Sequence, residues 1–136
     1  FIATCLMLVG GAQCFAQSEL PKDSKIEKYK IKNIVVNKSD FETGKEQKHT
    51  EYLAKYDDKA QLIEYQEWDE NGKFVKHEKY EYNANGDKTK ETQFNAANKV
   101  QKINEYKYQN GLIKEKTSYL PNGKVKSKKV YYYDFY

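Results

Sequence analysis

Asn-Gly pairs recur along this chain at near-constant spacing, and that recurrence fixes most of what it can fold into. Gly72, Gly86, Gly111 and Gly123 each follow an Asn, in DENG, NANG, YQNG and LPNG. Between the second and third stands NAAN, whose Asn98 occupies the glycine's place. Asn best tolerates the left-handed backbone otherwise left to glycine. Earlier, DDKA puts Ala60 there. Anchors at 60, 72, 86, 98, 111 and 123 lie 12 to 14 residues apart, which suits one strand plus one tight turn. The expected fold is all-β: an antiparallel meander of about eight strands, curled or solenoid-like in its repetition of two-strand hairpins.

Turn chemistry agrees. Pro121 fits the second position of a type I turn and Gly123 the left-handed residue that follows. The odd gap before Gly111 predicts that Asn110-Gly111 makes a two-residue turn instead, since otherwise one strand would present the wrong face.

Counting eight residues on from each anchor gives Trp68, Tyr80, Phe94, Tyr106, Tyr119 and Tyr131, aromatic every time. Two residues on stand Leu62, Phe74, Lys88, Val100, Ile113 and Val125. Equal parity would place both sets on one face of each strand, with polar residues between. Across each turn the first set should then meet the second, pairing Trp68 with Phe74, Phe94 with Val100 and Tyr119 with Val125. Ten residues on, Tyr82, Tyr108 and Tyr133 mark every other strand, so the full repeat is a hairpin. Upstream, Lys25 to Asn37 has strand composition and Glu46 to Tyr56 reads as a second strand. No segment shows an amphipathic helical period.

Charged residues at 32% and a mean hydropathy of −1.03 would suit a disordered chain, but 15% aromatics interleaved with β-formers argue for order around a thin core. All 24 basic residues are Lys, with acidic residues mixed among them. That excludes the Arg-based readout expected of a nucleic-acid protein, so no nucleic-acid partner is expected. The lysines read as a solvated surface that discourages sheet-edge pairing.

Residues 1–16, FIATCLMLVGGAQCFA, are uncharged, mostly apolar, and end in small residues. They read as the core and cleavage region of a signal peptide whose start is truncated. Cys14 and Ala16 place cleavage before Gln17, with lipidation at Cys14 as the rival. Residues 17–25 form a polar lead-in and residues 26–136 a single domain. The mature chain would be exported to the periplasm, cell surface or medium, without cysteine and without a transmembrane segment.

At YEYNANG, YKYQNG and YDDKAQL the chain resembles YD repeats, also called RHS repeats, in which a Tyr-rich strand leads into a turn. It is similar also to small exported Bacteroides-type proteins built from degenerate copies of such repeats, families of unknown function. The resemblance covers roughly residues 56–136. It implies an extracytoplasmic β-repeat with a shell, surface or carbohydrate-contacting role and no catalytic residues to carry over.

Residue chemistry points the same way. Zinc needs three or four ligands, and the mature chain offers only His49 and His77; His77, between Lys76 and Glu78, reads as an exposed strand residue. No nucleophile motif or phosphate loop is present. Glu64 and Glu78 are expected to face each other across the Asn71-Gly72 hairpin, within a lattice of ion pairs to neighbouring lysines. No catalytic, metal-binding or cofactor-binding residues are therefore expected. The candidate ligand-contacting residues are Tyr82, Tyr108, Tyr133 and Trp68, since aromatic rows on a sheet stack against sugar rings. The leading reading is a non-enzymatic protein that binds or assembles through its sheet. The alternative is a carbohydrate-binding module, and the candidate partners are a glycan or another surface protein.

Overall fold

A computed structural model describes Leu20 and residues 23–136; the signal-peptide and cleavage assignments lie outside them. One helix, α1 (Asp23–Tyr29), precedes eight strands: β1 (Asn33–Asp40), β2 (Gln47–Tyr56), β3 (Leu62–Trp68), β4 (Phe74–Tyr82), β5 (Lys88–Phe94), β6 (Val100–Gln109), β7 (Leu112–Tyr119) and β8 (Val125–Val130). The strands form a single antiparallel sheet in sequential order. The all-β meander of eight strands is as the turn spacing predicts, and the sheet does not close.

The helix corrects the expectation of none. It takes residues assigned above to the lead-in and first strand, and its seven residues are too short for a period to show. Lys30, at φ 51°, ends it in a Schellman arrangement: the Lys30 amide donates to Glu27 O at 3.1 Å and the Ile31 amide to Ile26 O at 3.0 Å. Its reason for existing is tertiary, since fully buried Ile26 packs among Tyr52, Ala54, Tyr56, Tyr65 and Tyr80. That cluster is the apolar core, beneath the helix on β2, β3 and β4.

The turns share one construction. Ala60, Gly72, Gly86, Asn98 and Gly123 all have positive φ, and each donates its amide to the carbonyl three residues earlier, at 2.9 to 3.2 Å. A side chain reinforces four of them. Oδ1 of Asp57, Asp69, Asn83 and Asn95 each accepts two backbone amides, from the residues two and four positions on, at 2.9 to 3.0 Å. These short polar side chains hold the turn as Asx turns do. The β6–β7 connection differs as foreseen: Asn110 (φ 53°) and Gly111 (φ 76°) form a two-residue turn closed by the Gln109–Leu112 pair.

The cross-turn pairs Trp68–Phe74, Phe94–Val100 and Tyr119–Val125 are present. One residue farther in, each strand from β3 to β8 carries a β-bulge, at Ile63, Val75, Thr89, Gln101, Lys114 and Lys126. An extra residue on one strand exchanges the faces beyond it. Parity alone therefore misplaced the two aromatic and apolar sets: within β4, Phe74 and Tyr80 lie on opposite faces. Across the sheet, Tyr80, Tyr106 and Tyr131 share the face that α1 covers (the helix face), while Trp68, Phe94 and Tyr119 share the far face.

Candidate functional site

The tyrosines ten residues past the anchors stand on the helix face, at the sheet end that carries the turns at 57–60, 83–86 and 110–111. Each closes one hairpin. The hydroxyl of Tyr82 donates to the carbonyl of Leu62 at 2.7 Å, that of Tyr108 to Lys88 at 2.8 Å, and that of Tyr133 to Ile113 at 2.7 Å. Donor and acceptor are always 20 residues apart, so one contact is copied along the chain at the hairpin spacing. Burial pushes the Tyr82 phenol up to about 12, with help from Asp57 and Asp23, and raises Tyr108 as well. These phenols stay protonated and donating.

Beside two of these tyrosines lie grooves in corresponding positions. One, of about 370 Å³, runs between the 57–60 turn and Tyr80 and Tyr82. The other, of about 350 Å³, runs between Asn110 and Tyr131 and Tyr133. Trp68 takes no part in either: it sits at the other end of β3, on the far face, paired with Phe74. The structure thus groups three of the four candidate ligand-contacting residues and separates the fourth.

On the far face the structure rearranges the carboxylates. The bulge at Val75 shifts the register by one residue, so Glu64 pairs with Lys79 and Glu78 with Tyr65; the two glutamates are not opposite each other. His77 is 7% exposed and not an open surface residue. Its ring stacks on Phe94 at 4.6 Å between centroids, and its Nε2 lies 2.9 Å from Glu64 Oε1. Lys55 Nζ donates to Glu64 Oε2 at 2.7 Å and Gln66 Nε2 to Oε1 at 3.0 Å. Burial opposes ionisation of Glu64, but the hydrogen bonds from Lys55, His77 and Gln66 outweigh it and hold the carboxyl at about 2. So strongly ionised a group accepts hydrogen bonds but holds no proton to give at neutral pH.

On the helix face, beyond the reach of α1, a polar network replaces the apolar core. Gln93 Nε2 bridges Glu78 Oε1 at 2.9 Å and Glu91 Oε1 at 3.2 Å. Asn104 Nδ2 donates to Glu91 at 3.3 Å, and Ser118 Oγ to Asn104 Oδ1 at 2.7 Å. Tyr80 donates its hydroxyl to Glu78. Lys88 pairs with Glu91 at 2.8 Å while lying over the rings of Tyr80 and Tyr106, at 5.2 and 5.4 Å. Among the described residues no buried side-chain polar atom lacks a partner, so the network is closed on itself.

Among the described residues no group of three metal-ligating side chains comes together, and no helix is long and apolar enough to cross a membrane. Sequence reasoning overlooked the turn-opening Asp and Asn residues, which their fixed place three residues before the anchors could have revealed. No family model matches this chain, and neither a curated protein nor a solved structure does.

Proposed function

We propose that this is an exported, non-enzymatic β-repeat protein of the YD type that binds or assembles through its sheet surface, in the periplasm or at the cell surface. The hairpin is its solenoid-like unit. The supporting observation is the tyrosine-to-carbonyl contact repeated at Tyr82, Tyr108 and Tyr133. It makes successive hairpins equivalent and sets equivalent grooves along one side, a construction suited to a partner that is itself extended or repetitive. Sedimentation of the purified chain over a concentration series, alongside cell fractionation with the native leader, tests this reading. Retention in the cytoplasm would overturn export. A strictly monomeric chain that captures no surface component from envelope extracts would overturn binding or assembly.

The grooves favour one second reading, a carbohydrate-binding module. Tyr rings beside Asn, Asp, Gln and Lys are the elements that stack and hydrogen-bond a sugar. Because the three hydroxyls are already committed to backbone carbonyls, the tyrosines would offer ring faces only. Trp68 is on the opposite face and would be a poor reporter. A glycan array read with wild type and Tyr133→Ala decides: no array signal removes the sugar reading.

A further inference from the structure

Four Asn-Gly sequences stand at exposed turns, at Asn71, Asn85, Asn110 and Asn122. Their local chemistry is the same, so any difference between them must come from how the turns are held. At three of them the glycine amide is occupied: Gly72 donates to Asp69 O at 2.9 Å, Gly86 to Asn83 O at 3.0 Å, and Gly123 to Leu120 O at 2.9 Å. Asn122 is restrained further, its Oδ1 accepting the Lys124 amide at 3.0 Å. The two-residue turn at 110–111 is closed by its flanking residues, Gln109 and Leu112, and among the described residues no carbonyl accepts the Gly111 amide.

From this difference we propose that Asn110 is a site of spontaneous backbone modification, where the asparagine converts to isoaspartate or aspartate through a succinimide. Hydroxide removes the Gly111 amide proton, and the nitrogen bonds to Asn110 Cγ. The Cγ–Nδ2 bond breaks, and ammonia leaves with a proton from water. A second water then opens the imide. A glycine amide held by a carbonyl must give up that hydrogen bond before it can react; Gly111 has none to give up. The consequence is local and directional. Isoaspartate inserts a methylene into the backbone of a turn with no residue to spare. It also places a carboxylate in the groove that Asn110 lines beside Tyr133 and Asp134.

The test is peptide mapping by mass spectrometry of the full chain held in warm, mildly alkaline buffer, with a parallel sample in concentrated urea. The expected result is conversion at Asn110 several-fold faster than at Asn71, Asn85 or Asn122 in the folded protein, with that ratio collapsing in urea. Equal rates at all four sites in the folded chain would overturn the proposal, as would a faster rate at another site. An Asn110 preference that persists undiminished in urea would overturn it too, because sequence and not the free amide would then set the rate.

Discussion

The hydroxyl of Tyr82 donates to the carbonyl of Leu62 across the open end of the β3–β4 hairpin, at 2.7 Å. The contact joins the last residue of one strand to the first of its neighbour, so it fastens each hairpin where its turn cannot reach.

Tyr82→Phe keeps the ring and removes the latch. The expected loss is roughly 0.5–1.5 kcal/mol in urea denaturation, typical of an intramolecular hydrogen bond. Tyr133→Phe should cost less, because Tyr133 is 43% exposed and water can replace the lost donor. Equal and negligible losses at both would show that the latch carries no stability.

The register makes a second expectation. Phe94 and Val100 are paired across the 95–98 turn, whereas Val125 pairs with Tyr119 on the last hairpin. A double-mutant cycle for Phe94 and Val100 should show a coupling of roughly 0.5–3 kcal/mol, while Phe94 and Val125 should add within about 0.5. Phe94→Ala alone should cost less than the 3–5 kcal/mol or so of a fully buried ring, since Phe94 is only half-buried, even though the stack on His77 is lost with it.

At the turns, Gly86→Val should destabilise far more than Asn98→Gly. Gly86 has φ 87°, and an added Cβ would stand 3.2 Å from Gln61 Nε2, so valine meets both backbone strain and a crowded neighbour. Asn98 already holds φ 58°, a conformation glycine adopts freely, and its replacement should be neutral or mildly stabilising. Thermal melts of the two variants compare them directly.

Turns, strand number and three of the cross-turn pairs were legible because each rests on local chemistry: a left-handed residue, an aromatic and an apolar residue at fixed offsets. At the 83–86 and 110–111 turns the expected partners Tyr80 and Tyr106 give way to Tyr82, which pairs with Lys88, and Tyr108, which pairs with Ile113. The bulges were not. Ile63, Val75, Thr89, Gln101, Lys114 and Lys126 share a position but no side-chain character, since a bulge is a property of backbone pairing. Missing them cost the face assignment, the placement of His77 and the opposition of Glu64 and Glu78. The helix went unread because what makes it stable is Ile26 packed among Tyr52, Tyr56 and their neighbours on the sheet, a contact across the fold. Of the candidate site, the tyrosine period was visible, but not that its hydroxyls are committed to backbone carbonyls 20 residues away.

The far-face carboxylate gives the pH dependence its sign. Glu64 is held at about 2 against an ordinary value of 4.5, so its charged form is favoured by folding. That contribution is complete above about pH 4.5, the unfolded value, and is lost as pH falls toward 2. In Glu64→Gln this part of the acid limb should flatten. At neutral pH the same variant should be less stable by roughly 1–3 kcal/mol, because Lys55 and His77 lose an ionised acceptor. Urea midpoints for wild type and variant at pH values spanning that window measure both effects. If the two proteins lose stability in parallel as pH falls from 4.5, Glu64 is not the group whose protonation weakens the sheet, and the contacts from Lys55, His77 and Gln66 contribute nothing that depends on its charge.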